Sequence, residues 1–70
     1  MEKLVSIQVN GESRETTAGT TVDGLLSQLG LNGGRVAIEY NRRILPKAKW
    51  GETQIGEGDQ FEIVQFVGGG

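Results

Sequence analysis

Gly68, Gly69 and Gly70 stand at the C-terminal end of the sequence, directly after the strand-like run Gln60-Phe61-Glu62-Ile63-Val64-Gln65-Phe66-Val67. The chemistry they offer is that of a bare α-carboxylate on an arm without side chains. Such an arm passes through a channel too narrow for any Cβ and adopts backbone angles closed to other residues. This suits a terminus that is itself a substrate. A frayed tail or an appended scar has the same composition, and the glycines alone leave both readings open. Other reactive groups are scarce. Without cysteine, disulfides, thiolate metal sites and cysteine-ligated iron–sulfur clusters are excluded. Without histidine, the commonest general base and metal ligand is missing as well. The expectation is a protein that is acted upon rather than an enzyme, with no catalytic residues, no metal site and no active site of its own.

Seventy residues make one small domain, which buries only ~60% of the surface its unfolded chain exposes. Its single core leaves a net stability of roughly 3–5 kcal/mol. Lys and Arg number 7 against 9 Asp and Glu, for a net charge of −2 and a sequence pI of about 4.9. A basic footprint for a phosphate backbone is therefore absent, and no nucleic-acid partner is expected. The one dense cationic stretch, Arg42-Arg43 with Lys47 and Lys49, reads as a solvated face or part of a partner contact. No apolar run approaches the ~20 residues of a membrane span, and Met1-Glu2-Lys3-Leu4-Val5 lacks a signal-peptide core. A cytoplasmic protein with no membrane partner, monomeric when free, is expected.

The elements that must position the glycine arm follow from periodicity. Val5, Ile7 and Val9 alternate with Ser6 and Gln8 as in a half-buried strand, and Asn10-Gly11 is a type I′ hairpin signal. The return run Glu12-Ser13-Arg14-Glu15-Thr16 is polar, which predicts an edge strand. Thr20 to Leu29 reads as a short helix, capped by Thr20 with Asp23 in a capping box, and Val22, Leu25, Leu26 and Leu29 form its apolar stripe. Gly30 suits the C′ position, and Gly24 marks either a close helix-to-sheet approach or plain tolerance. Arg35 to Tyr40 predicts a strand with Val36, Ile38 and Tyr40 on one face and Ala37 and Glu39 on the other. Asn41-Arg42-Arg43 turns the chain into Ile44-Leu45, closed by Pro46. Lys47 to Trp50 forms a helical turn, and Ile55 anchors an irregular crossover to the last strand.

This order predicts an α+β, β-grasp (ubiquitin-like) fold: a mixed sheet of four to five strands covered by one helix, with the first and last strands parallel at its centre. The predicted division is a β-grasp domain over 1–67 and a flexible glycine tail over 68–70. In the last strand Phe61 and Ile63 face the core. Alternation then sends Val64 and Phe66 to the opposite face, where no second helix covers them. That pair is the candidate partner-binding face, against the reading of scattered surface hydrophobics.

The sequence resembles the small sulfur-carrier proteins of thiamin biosynthesis. The resemblance rests on Val9-Asn10-Gly11, Thr20-Thr21-Val22 through Leu25-Leu26, Val36-Ala37-Ile38-Glu39-Tyr40-Asn41, and Ile44-Leu45-Pro46 with Trp50. It closes on Gly58-Asp59-Gln60-Phe61-Glu62-Ile63-Val64 and Val67-Gly68-Gly69-Gly70, so it covers nearly the whole chain. It implies that an adenylating enzyme of the ThiF type uses ATP and Mg²⁺ to activate the Gly70 carboxylate. Sulfur from a desulfurase system then yields a thiocarboxylate, and a thiazole synthase of the ThiG type receives that sulfur. Gly69 is the implied neighbour of the modified residue and Gly68 extends the arm. No cofactor binds the chain itself: ATP belongs to the partner, since Gly33-Gly34 and the final glycines lack the strand–glycine–helix setting of a phosphate loop. Three alternatives stand beside this: a carrier of the molybdopterin synthase small-subunit type, a ubiquitin-like modifier that forms isopeptide bonds, and an interaction module with an inert tail. The stretch from Asn41 to Trp50 is closer to the thiamin type.

Overall fold

The computed structural model describes residues 3–31 and 35–66. Its elements are β1 (Leu4–Val9), β2 (Glu12–Thr17), α1 (Val22–Gln28), β3 (Val36–Tyr40), β4 (Arg43–Ile44), a 3-10 helix over Lys47–Glu52, and β5 (Gln60–Gln65). One mixed sheet of five strands runs in the order β2-β1-β5-β3-β4. β1 and β5 pair in parallel at its centre, while β2, β3 and β4 join antiparallel. This is the β-grasp arrangement the element order predicts, with β2 and β4 as the two edges.

The alternation of β1 buries Val5, Ile7 and Val9 against Ile38 of β3 and Phe61 and Ile63 of β5. Val22, Leu25 and Leu26 of α1 close this layer, Ile55 and Trp50 seal its ends, and Leu29 packs half-buried at the rim. The indole N–H of Trp50 donates to the Leu45 carbonyl at 2.9 Å, so a large ring is buried without an orphaned donor. β2 contributes one buried side chain, Thr16, whose hydroxyl meets Gln28 Oε1 at 3.1 Å and ties the edge strand to the helix end.

The helix begins one residue later than the sequence predicts. Thr21, not Thr20, is the N-cap: its hydroxyl accepts from the Gly24 N–H at 3.2 Å. The third helical position is then Gly24, so Asp23 forms no capping box. The reason is tertiary. The Thr20 carbonyl accepts from the Ile55 N–H, the Val22 N–H donates to the Thr53 carbonyl, and Thr21 bridges Gln54. This pairing holds Thr20 and Thr21 extended. A Cβ at Gly24 would meet the Thr20 methyl group at 3.1 Å, so the crowding there comes from the cap segment rather than from the sheet. At the other end Gly30 has φ +75, its N–H bonds the Ser27 carbonyl, and the Leu31 N–H bonds the Leu26 carbonyl. That is a Schellman motif, as the placement of Gly30 predicts. No helix among the described residues is long and apolar enough to cross a membrane.

Candidate functional site

The terminal glycines follow β5 in the sequence, and β5 is held from both sides by the two hairpin turns. Asn10 and Gly11 both have positive φ, as a type I′ turn requires. The Asn10 side chain then acts as an extra peptide group. Its Nδ2 donates to the Ile63 carbonyl at 3.2 Å and its Oδ1 accepts from the Ile63 N–H at 2.8 Å. This extends the β1–β5 contact, whose ladder itself covers only Gln8↔Gln60 and Val9↔Phe61. Across the sheet, Asn41 and Arg42 also have positive φ, 51 and 72. The Asn41 Oδ1 accepts from the Gln60 N–H at 2.9 Å and its Nδ2 donates to Asp59 Oδ1 at 3.2 Å.

Asp59 completes this clasp. Its Oδ2 accepts from the Tyr40 hydroxyl at 3.1 Å and from the Gly56 N–H at 2.8 Å. The Tyr40 ring lies on Phe61, with centroids 5.2 Å apart. Burial, then the hydrogen bond to Asp59 and the charge of that carboxylate, push the Tyr40 hydroxyl above its ordinary value of 10.0. The start of β5 is thereby fixed by side chains, and Asn10 fixes its far half.

Of the residues the sequence singles out, Gly68, Gly69 and Gly70 lie outside the described residues. Val64 and Phe66 are both exposed, at 55% and 58%. They do not border the same hollow, however. Val64 faces a depression of about 150 Å³ lined with Ala37, Glu39, Ile44 and Glu62, on the side of the sheet away from the helix. Phe66 borders a wider one of about 370 Å³ with Asp23, Leu26, Arg35, Val36, Lys47 and Trp50, beside the helix. The named β3–β5 ladder ends at Val36↔Gln65, and the Phe66 N–H still donates to the Arg35 carbonyl at 2.8 Å, so the two residues border different depressions at the end of the strand.

Ile44, to which the sequence assigns no face, is the most exposed large apolar residue among the described residues, at 79%. The register pairs it with Glu39, and pairs Ala37 with Val64, so the β3–β4–β5 ladder gathers Ala37, Ile44 and Val64. Glu39 and Glu62 stand directly opposite one another beside them. Like charges in that position are destabilising, by a few tenths to about 1 kcal/mol. Neither carboxylate forms an ion pair among the described residues, where the one surface pair is Lys49–Glu52 at 3.1 Å.

A family model described as the ThiS family matches residues 7–70. The chain belongs to the ThiS family. Among its relatives, the sulfur carrier protein ThiS of Escherichia coli is 32% identical over 66 residues, which cover 94% of this chain and 100% of that protein. The thiazole synthase of Paramagnetospirillum magneticum is 41% identical over 66 residues, or 94% of this chain. The ThiS-like chain spans only 20% of that protein's length. A crystal structure of the thiamine biosynthesis protein ThiS from Geobacter metallireducens superposes with a TM-score of 0.80 at 29% identity, over 94% of this chain and 100% of that one. The β-grasp fold is thus shared with a ThiS structure, as the resemblance implies.

Proposed function

We propose that this ThiS-family chain is a sulfur carrier for the thiazole branch of thiamin biosynthesis, a protein co-substrate rather than an enzyme. The near full-length match to the sulfur carrier protein ThiS of Escherichia coli carries this reading. The family match runs through Gly70, whose carboxylate is the group to be loaded. A carboxylate is a poor electrophile. An adenylating partner holding ATP and Mg²⁺ converts it to an acyl adenylate with loss of pyrophosphate, and sulfide then displaces AMP to leave a thiocarboxylate. A desulfurase system supplies that sulfur, and a thiazole synthase takes it. The thiazole synthases that contain a ThiS-like stretch support this last partner.

The chain's own contribution is recognition and presentation. β5, clasped by Asn10 on one side and Asn41 with Asp59 on the other, is a rigid base from which residues 68–70 reach the partner's site. The exposed Val64 and Phe66 flank that exit and serve partner contact.

The test is to incubate the chain with an adenylating enzyme of this family, Mg-ATP and sulfide, and to record the intact mass. The expected result is a gain equal to replacing one oxygen by sulfur, lost on removal of Gly70. An unchanged mass, with an enzyme shown to load another ThiS protein, would overturn the reading. Loading only by a molybdopterin-type activating enzyme would move the chain to that pathway.

A further inference from the structure

We propose that the hollow beside the helix is a resting site for the chain's own C-terminal segment, residues 67–70. Arg35 and Lys47 hold the terminal carboxylate there until a partner draws the arm out. The proposal rests on the carrier reading above, in which Gly70 bears the free carboxylate, and it adds where that group lies between partners.

The chain as a whole is acidic, with a net charge of −2. The hollow, of about 370 Å³, has the opposite sign. Arg35, directly before β3, and Lys47, the first residue of the 3-10 helix, bring two positive charges to it. Asp23 in the first turn of α1 brings one negative charge, so the balance of the three is +1. None of them joins an ion pair among the described residues, where the one such pair is Lys49–Glu52. The buried Leu26 and Trp50 line the hollow from the core side, and the exposed Phe66 stands at its edge. A cationic rim over an apolar floor suits a short backbone segment that ends in an anion.

The occupant follows from the place where the described chain stops. Phe66 borders the hollow, and its N–H donates to the Arg35 carbonyl at 2.8 Å. The chain is thus still pinned to the residue that carries one of the two cations. Val67, Gly68, Gly69 and Gly70 follow it. Four residues span at most about 14 Å when extended, which confines the carboxylate to the neighbourhood of Phe66. Glycine also takes the positive-φ angles that reverse a chain within a few residues. A tether this short gives the carboxylate an effective concentration on the order of millimolar at Arg35 and Lys47, which a separate acidic segment would have to exceed. Attraction between exposed charges is weak and screened by salt. It therefore yields to any channel that binds the arm along its length. A thiocarboxylate is an anion as well, and the loaded arm returns to the same place.

The experiment is a carbon-13 NMR titration of the Gly70 carboxyl in the whole chain at low salt, from about pH 2.5 to pH 6. Neighbouring cations favour the charged form, so its pKa is expected to lie lower by about 0.5 than in the double variant Arg35→Gln/Lys47→Gln. Asp23→Asn, which removes the competing carboxylate, is expected to lower it further. The amide proton–nitrogen NOE at pH 7 reads the same contact without acid. For Gly69 and Gly70 it should be higher in the unaltered chain than in the double variant, and high salt should erase the difference. All three positions are exposed, and circular dichroism confirms that the variants are folded. An equal carboxyl pKa and equal NOE values in the unaltered chain and the double variant would overturn the proposal. A difference that grows with protein concentration would overturn it too, by placing the arm of a second copy in the hollow. The mass assay above reads the loading of Gly70 separately. An absent contact therefore leaves the carrier reading standing, and a failure to load with the contact present removes the carrier reading alone.

Discussion

Asn10 and Asn41 do the same work at two places. Each opens a hairpin turn in a left-handed conformation that asparagine tolerates better than other side-chain-bearing residues. Each then spends its amide on β5, replacing ladder bonds where the neighbouring strand has turned away. Replacing Asn10 by alanine removes both bonds to Ile63, leaves that peptide without its partner, and puts alanine at φ 53. The expected loss is about 2 kcal/mol in urea unfolding, a large share of the stability of so small a domain. A loss below about 0.5 kcal/mol would mean that water replaces the amide at no cost. The turn at Asn10-Gly11 is legible in the sequence because it is a dipeptide signal. The bond to Ile63 spans 53 positions, and no local pattern encodes it.

Among the elements, the helix shows how far local signals reach. Its apolar stripe and its Gly30 terminator place the body and the end correctly, since both depend on neighbours within a turn or two. Its start depends instead on the strand-like pairing of Thr20 and Thr21 with residues 53–55. Thr21→Ala is therefore expected to cost about 1 kcal/mol, the usual value of a lost N-cap. Thr20→Ala should stay within about 0.5 kcal/mol, as its hydroxyl caps nothing. Thermal melts of the two variants compare them directly, and a larger loss at Thr20 would return the cap to that residue. In the last strand alternation likewise places Phe61 and Ile63 in the core and Val64 outside it.

At the scale of the molecule, one helix covers one face of a five-stranded sheet and leaves the other open. That asymmetry separates a face buried for stability from one left uncovered among the described residues. The Tyr40–Asp59 contact belongs to the first, because it joins the end of β3 to the entry of β5. The Tyr40 hydroxyl is raised in the folded protein, so its contribution is fully present below its unfolded value of 10.0 and is lost as pH rises through the folded value. Unfolding midpoints measured from pH 8 to 12 should fall in that upper window. In Tyr40→Phe the part of the fall due to this residue should vanish, with a cost of roughly 1 kcal/mol at neutral pH from the lost hydrogen bond. An identical alkaline decline in both proteins would remove Tyr40 from the account.

Alternation in β1, β3 and β5, the helical stripe and the Asn-Gly turn were enough to name the elements, their order and the β-grasp topology, because each is a property of residues close in the chain. The terminal glycines suggest a type of chemistry by their composition alone, and they lie outside the described residues. The assembly of Ala37, Ile44, Val64, Glu39 and Glu62 into one surface was not legible in the sequence. A two-residue strand carries no period of its own, and the face on which Ile44 lies follows from its pairing with Glu39 rather than from its neighbours. Register, set by hydrogen bonds between strands far apart in sequence, turned scattered residues into a surface.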